Sequence, residues 1–272
     1  MIDFSTDWHD IQPISQDEGP EPLLAIAYLP EYSQAMDYFR AVSKKEEYSQ
    51  RTLSLTEFLI RQNPSHYTIW KYRLDIVKTL GVSMEDELKL VEELAGEYPK
   101  SYQVWHYRQA IASGYSEPQR EMAFINEMLD QDSKNYHAWS YRQHVVKTFA
   151  LWDEELVDTA RLLDEDIRNN SAWNQRYFVF STRRSFQVEA EIQFVLERIR
   201  IVPNNESPWV YLKGIVHLAN KRLSDYKKLV ETIHEFADAP HRIPFALALL
   251  NYVYKEQGDK DSFHKVKKIK SI

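Results

Sequence analysis

Tryptophan recurs along this chain at an almost constant interval. Five of its seven tryptophans are separated by 35, 34, 34 and 36 residues, a glutamate stands eighteen residues before each of the last four, and an arginine follows three residues after each of the first four. The tryptophans are Trp70, Trp105, Trp139, Trp173 and Trp209, the glutamates Glu87, Glu121, Glu155 and Glu191, and the arginines Arg73, Arg108, Arg142 and Arg176. A period of about 34 residues indicates a repeat protein, in which each unit buries its apolar face against its neighbours.

Each repeat combines two helical segments joined by a short polar turn. In the first segment apolar residues follow the i, i+3, i+4, i+7 spacing of one helical face. One example is Ile192, Val195, Leu196 and Ile199. The turn carries Asn or Ser, which suits the start of a second helix because the side-chain oxygen accepts from free backbone N–H groups. The second segment holds the tryptophan. The pattern predicts an all-α fold, a right-handed superhelical solenoid of helix–turn–helix repeats.

Composition excludes several classes of protein. Only six of 272 residues are glycine, which disfavours folds that need many tight turns. No cysteine is present, so a disulfide framework, a thiol nucleophile and a Cys-ligated zinc on this chain are excluded. The formal charge of −7 disfavours nucleic-acid binding by bulk positive charge. No apolar run is long enough to span a membrane, and the acidic start is unlike a signal peptide. We therefore expect a cytoplasmic protein without a membrane span.

The repeats divide the chain into three regions. Residues 1–30 hold four prolines and little helical periodicity, so we expect an extended N-terminal arm that packs on or wraps a neighbour. Residues 31–258 form the predicted single helical-repeat domain, with five Trp-marked repeats and a C-terminal cap built from helices near 223–236 and 245–254. Residues 259–272 are rich in lysine and are predicted to form a frayed, solvated basic tail. No Gly- or Ser-rich linker interrupts the domain.

Two repeat families share this period. Tetratricopeptide repeats place Leu-Gly after tryptophan, and that pair is missing here. The phrases Lys134-Asn-Tyr-His-Ala-Trp139 and Arg168-Asn-Asn-Ser-Ala-Trp-Asn-Gln-Arg-Tyr-Phe178 instead resemble the α-subunit repeat of protein prenyltransferases. The lead-in segments Asp17-Glu-Gly-Pro20 and Tyr38-Phe-Arg-Ala41 are similar to the α subunit shared by farnesyltransferase and type I geranylgeranyltransferase. The resemblance covers roughly residues 8–215.

The resemblance implies a partner and a reaction. In that family a helical α subunit wraps around a β subunit, which holds a catalytic zinc and most of the isoprenoid pocket. The complex joins a farnesyl or geranylgeranyl group, from the corresponding prenyl diphosphate, to the cysteine thiol of a C-terminal CaaX motif on a substrate protein. Magnesium is an expected second cofactor. No metal site is expected on this chain.

The resemblance also implies roles for individual residues. The phrase Pro99-Lys-Ser-Tyr-Gln-Val-Trp105 matches the family stretch whose lysine contacts the diphosphate, so Lys100 and the nearby Tyr102 are the candidate catalytic residues. A fixed ammonium there would stabilise the charge that grows on the leaving diphosphate. Gln103 would donate to the CaaX carboxylate, since a neutral amide avoids burying a second full charge.

Three further residues occupy equivalent turns of successive repeats. Tyr67, Asn135 and His137 are expected to form the peptide side of the site, because equivalent positions align along one edge of a solenoid. For His137 we expect a packing or hydrogen-bonding role rather than general-base catalysis. Ser101 departs from the family, which usually has Asn at that position.

Two alternatives follow from the same sequence. One is a helical-repeat scaffold that binds peptides and catalyses nothing. The other is the α subunit of Rab geranylgeranyltransferase, which requires an escort protein and normally lacks the lead-in segments. Replacement of Lys100 separates the enzyme from the scaffold, because only the enzyme would lose turnover.

Overall fold

The structure of the chain is a computed structural model. It describes residues 2–17, 19–20, 26–113, 115, 117–183 and 187–269. The chain forms two compact units, Met1–Arg142 and Gln143–Ile272. The prediction of a single repeat domain stays a prediction.

The first unit is built from antiparallel helix pairs that follow an introductory helix. Its helices are α1 (Pro30–Lys44), α2 (Gln50–Gln62), α3 (Tyr67–Leu80), α4 (Met84–Glu97), α5 (Tyr102–Ala112), α6 (Pro118–Gln131) and the first half of α7 (Tyr136–Phe149). Short polar turns join them, as the repeat predicts, and α2 opens with a capping box formed by Ser49 and Thr52.

The second unit continues the same alternation. Its helices are the rest of α7, α8 (Trp152–Glu165), α9 (Asn170–Arg183), α10 (Val188–Ile201), α11 (Glu206–Leu218), α12 (Lys227–Ala237), α13 (Pro244–Gln257) and α14 (Lys260–Ile269). A short 3₁₀ turn, Leu223–Asp225, precedes α12. The described residues contain no β-strand, so the predicted all-α fold of helix–turn–helix repeats is confirmed. Within the described residues no helix is both long and apolar enough to cross a membrane.

The periodic tryptophans form the core between helices. All five are buried, and each indole Nε1 donates a hydrogen bond of 2.8–2.9 Å to the carbonyl six residues earlier. The indole therefore fills the space between helices and at the same time holds the turn that precedes its own helix. The apolar face predicted on α10 is likewise buried.

The periodic glutamates and arginines meet in a buried polar cluster, which we call the Arg–Glu–Tyr cluster. In the second unit Arg176 pairs with Glu191 through two hydrogen bonds of 2.7 and 2.8 Å, and the Tyr211 hydroxyl donates to the same carboxylate at 2.7 Å. The first unit repeats this arrangement in two clusters. They are Arg73–Glu87–Tyr107 and Arg108–Glu121–Tyr141. In all three clusters the periodic arginine thus binds the periodic glutamate of the helix that follows.

The N-terminal arm folds onto its own chain. Residues 4–10 form consecutive turns rather than an extended strand, and Trp8 is buried with its ring edge-on to Tyr38 of α1. Arg51 of α2 binds both carboxylate oxygens of Asp10 at 2.7 and 2.8 Å. Burial of the indole and this bidentate pair hold residues 4–10 against α1 and α2.

The C-terminal region is more helical than predicted. The predicted cap is present as α12 and α13, but α14 occupies residues assigned to a frayed tail, and that part of the prediction is wrong. Gly258 ends α13 in the left-handed conformation (φ 75°). Asp259 then accepts from the backbone N–H of Ser262 at 3.1 Å, which starts a new helix.

Candidate functional site

The candidate lysine lies in the turn between α4 and α5. Lys100 is exposed, and it makes no ion pair with any residue that the structure describes. The peptide bond that precedes it is held firmly. Its carbonyl, that of Pro99, accepts from Trp105 Nε1 at 2.9 Å, and the Ser101 N–H closes the turn on the Tyr98 carbonyl at 3.0 Å. A free ammonium thus projects from a fixed stretch of backbone.

Asn135 reaches the same turn from the following repeat. Its Oδ1 accepts from the backbone N–H groups of His137 at 2.9 Å and Ala138 at 3.2 Å, which starts α7. Its Nδ2 donates to the Pro99 carbonyl at 3.1 Å. With 3% of its surface exposed, Asn135 has both polar atoms engaged within the chain. A substrate contact by this side chain stays a prediction.

His137 packs beside the turn. Its ring lies nearly perpendicular to that of Tyr102, with 4.3 Å between centroids. Burial lowers the pKa of His137. Tyr102 itself is 67% exposed. Lys100, Tyr102, Asn135 and His137 therefore lie together around one turn.

Gln103 and Tyr67 lie on a groove between α3 and α5. The groove has a volume of about 440 Å³, and its floor includes Trp70 and Tyr107. Three charged side chains also line it, the lysines Lys71 and Lys78 and the carboxylate Asp75. Lys71 pairs with Asp75 at 2.9 Å, whereas Lys78 has no ion-pair partner among the described residues. The excess positive charge makes the groove suitable for an anion.

Ser101 connects the two groups of residues. Its hydroxyl lies 3.5 Å from the Pro64 carbonyl and 3.4 Å from Gln103 Oε1, and it caps no backbone N–H. One hydroxyl hydrogen serves only one of these acceptors at a time. Ser101 thus occupies the position that Asn135 holds in the next repeat but makes weaker contacts.

Sequence reasoning missed two features of this site. The first is the pair of donors on the Pro99 carbonyl, which depends on two different repeats. Asn recurs four residues before the tryptophan at Asn135, Asn169 and Asn205, and a structural role could have been predicted from that recurrence. The second is the pair of groove lysines, Lys71 and Lys78, which no motif marked. Among the described residues no group of three or more His, Cys, Asp or Glu side chains is arranged to hold a metal ion.

One known family model matches five consecutive segments of the chain, which are its repeats. The model described as "Protein prenyltransferase alpha subunit repeat" matches residues 49–80, 84–114, 118–149, 152–183 and 188–219. Each match contains one helix pair, from α2–α3 through α10–α11. The matched repeats cover more than half of the chain.

Individual relatives extend the similarity beyond the repeats. The chain is 37% identical, over 94% of its length and 83% of the relative's, to the protein farnesyltransferase/geranylgeranyltransferase type-1 subunit alpha of Dictyostelium discoideum. It is 46% identical to the protein of the same name from Schizosaccharomyces pombe over 33% of this chain and 30% of that one. Among solved structures, a chain of Candida albicans protein geranylgeranyltransferase-I complexed with GGPP superimposes with a TM-score of 0.87 at 35% identity, covering 97% of this chain and 92% of that chain.

Proposed function

Because the chain belongs to the protein prenyltransferase α-subunit family, we infer that it is the α subunit of a heterodimeric protein prenyltransferase of the farnesyltransferase/geranylgeranyltransferase type I class. The observation that carries this conclusion is the similarity to the Dictyostelium relative over nearly the whole chain. The enzyme is active only when this chain is assembled with a β subunit. We place the complex in the cytoplasm.

The proposed reaction is prenyl transfer to a C-terminal CaaX cysteine. The thiol sulfur forms a bond to the first carbon of farnesyl or geranylgeranyl diphosphate, the bond from that carbon to oxygen breaks, the diphosphate leaves, and the thiol proton passes to solvent. Zinc on the β subunit and magnesium are the proposed cofactors. Among the described residues of this chain, no three His, Cys, Asp or Glu side chains are arranged to bind a metal ion, and the chain has no cysteine. The roles proposed for this chain are therefore hydrogen bonding and electrostatic contacts by its side chains.

Lys100 is the proposed contact for the diphosphate. Its ammonium carries no internal counter-ion among the described residues, and its backbone is held by the hydrogen bonds to the Pro99 carbonyl. Negative charge accumulates on the diphosphate as the carbon–oxygen bond breaks. A positioned cation therefore lowers the energy of the transition state more than that of the bound substrate. Tyr102 and His137 flank this turn and are proposed to line the same site.

Gln103 and Tyr67 are the proposed contacts for the substrate peptide. Gln103 has an amide that can donate to the terminal carboxylate, and the groove that it lines carries two lysines against one aspartate. That balance of charge attracts an anion without placing a full cation directly at the carboxylate. The exposed ring of Tyr67 offers an apolar face for the side chains before the terminus.

The proposal is tested with a pair of lysine variants of the assembled complex. Lys134 is the matched control, because it is an exposed lysine five residues before the tryptophan of the next repeat, as Lys100 is in its own. We expect Lys100→Ala to lower kcat for a CaaX peptide by about 10²–10³, the usual loss for one positioned electrostatic contact. Lys134→Ala should change kcat by less than about twofold, as is typical of exposed substitutions away from a site.

The outcomes separate a prenyltransferase subunit from a non-catalytic scaffold. Loss of turnover in Lys100→Ala with the complex still assembled supports the enzyme. Wild-type turnover in that variant contradicts the assigned role. Absence of transfer to any CaaX peptide by the assembled wild-type complex contradicts the proposed function as a whole.

A further inference from the structure

The Pro99 carbonyl receives two hydrogen bonds from different repeats. One comes from Trp105 Nε1, in the helix that follows the turn, at 2.9 Å. The other comes from Asn135 Nδ2, at the start of α7, at 3.1 Å. Because this carbonyl belongs to the peptide plane that carries the Lys100 nitrogen, two donors fix the orientation of that plane and hence the direction in which the lysine leaves the backbone.

Corresponding carbonyls in other repeats show what the second donor adds. The Pro64 carbonyl accepts from Trp70 Nε1 at 2.8 Å, but its second contact is the distant Ser101 hydroxyl at 3.5 Å. The Ile167 carbonyl of the second unit has both donors, Trp173 Nε1 at 2.9 Å and Asn205 Nδ2 at 2.8 Å. The carbonyl at the Lys100 turn therefore accepts from both a tryptophan and an asparagine. The corresponding carbonyl one repeat earlier accepts from a tryptophan and has only a long contact with a serine.

Asn135 is suited to this task because it is itself immobile. Its Oδ1 caps α7 through two backbone N–H groups, and the side chain is almost wholly buried. The neighbouring His137 ring closes the other side of the turn by packing against Tyr102. Motion of the Lys100 backbone would thus require movement of the first turn of α7.

We propose that Asn135 is a positioning residue, which orients Lys100 toward the leaving diphosphate by donating a hydrogen bond to the Pro99 carbonyl. The inference rests on the proposed role of Lys100. A lysine side chain has four rotatable carbon–carbon bonds, so a fixed backbone removes part of the freedom that would otherwise be lost on reaching the transition state.

The test replaces only the donor. Asn135→Asp keeps an oxygen that caps α7 but removes the Nδ2 donor and sets a carboxylate against the Pro99 carbonyl. Asn205→Asp makes the same change in the second unit, where Asn205 also caps its helix and bonds the Ile167 carbonyl. Both variants are measured in the assembled complex with saturating prenyl diphosphate, by the single-turnover rate of thioether formation, the KM for a CaaX peptide and the thermal midpoint.

We expect Asn135→Asp to slow the single turnover by about tenfold to a hundredfold, the loss that a small misplacement of a catalytic group produces. Asn205→Asp should change it by less than about twofold, although both variants lower the thermal midpoint by similar amounts. The KM for the peptide should stay within about threefold of wild type in both, because neither Asn135 nor Asn205 lines the groove that holds Gln103 and Tyr67. Asn135→Ser, which mimics the weaker contact of Ser101, should fall between wild type and Asn135→Asp.

Two results would overturn the inference, and they differ in what else they affect. If Lys100→Ala is slow but Asn135→Asp turns over like Asn205→Asp, Asn135 has only a structural role and the proposed function stands. If Lys100→Ala turns over normally, the role of Lys100 fails and the inference fails with it.

Discussion

The Arg–Glu–Tyr cluster of the second unit predicts a large difference between two arginine variants. Arg176 and Glu191 have side chains only 7% and 6% exposed, whereas Arg200 and Glu235 form a pair at 2.8 Å with side chains 48% and 53% exposed. The change to methionine removes the guanidinium in each case but keeps an unbranched apolar chain. At position 176 that chain can retain contact with the Phe194 ring, which lies 3.8 Å from the guanidinium carbon.

The expected magnitudes follow from burial. Arg176→Met leaves a buried carboxylate without its cation, which costs about 3–5 kcal/mol of unfolding free energy. Arg200→Met breaks an exposed pair, which costs about 0–1 kcal/mol. At about 2–4 °C per kcal/mol for a chain of this size, the thermal midpoint should fall by about 6–20 °C in the first variant and by about 0–4 °C in the second.

The assay is thermal unfolding of the assembled complex, with wild type and both variants in parallel at neutral pH. A double variant, Arg176→Met with Glu191→Met, tests the cause. If an unpaired charge produces the loss, removal of Glu191 should recover part of it, although Tyr211 then lacks its acceptor. Equal midpoints for the two single variants, or a double variant less stable than Arg176→Met, would show that an unpaired buried charge is not the cause of the loss.

Two other predictions concern stability. Ser101→Asn should raise the thermal midpoint of the complex, because an Asn side chain can both cap α5 and donate to the Pro64 carbonyl, a gain of about 0.5–1.5 kcal/mol; an unchanged or lower midpoint would contradict the comparison with Asn135. Burial, and then the Glu191 carboxylate, raise the pKa of Tyr211 well above its ordinary value. The folded chain then keeps its phenol proton where the unfolded chain loses it, so stability should fall as pH rises above about 10. Denaturant titrations at pH values on both sides of that point should show a smaller fall in Tyr211→Phe, and an equal fall would contradict the assignment.

Most of the helical framework could be predicted from the spacing of one residue type. A tryptophan period near 34 specifies where each second helix lies, and apolar spacing specifies the first helix, because both depend on local periodicity. The starts of α7 and α11 also followed from Asn135 and Asn205, whose side chains cap those helices as expected.

Contacts between elements were harder to predict. The glutamate and arginine registers were both visible, yet their pairing joins residues such as Arg176 and Glu191 on separate helices, and periodicity alone does not state which faces meet. The arm was missed for a similar reason, since burial of Trp8 depends on an aromatic partner in α1. The lysine-rich sequence after Asp259 suggested a frayed tail, but the Asp259 side chain caps a helix there.

For the candidate site too, the sequence identified individual residues but not the contacts between them. The family resemblance pointed to Lys100 and Gln103, and the repeat register placed Tyr67, Asn135 and His137 at equivalent turns. Which of these residues share a surface depends on packing between repeats. Only the structure separates the buried Asn135 from the exposed Tyr67.

The proposed function makes this chain one half of a heterodimeric prenyltransferase. The most direct test is the native mass of the complex purified from its own cells through this chain, with bound metal counted in the same sample. We expect a one-to-one complex with a second polypeptide, and we expect this complex to contain zinc and to prenylate a CaaX peptide. A lone species of 32.3 kDa, or a homo-oligomer without zinc, would contradict it.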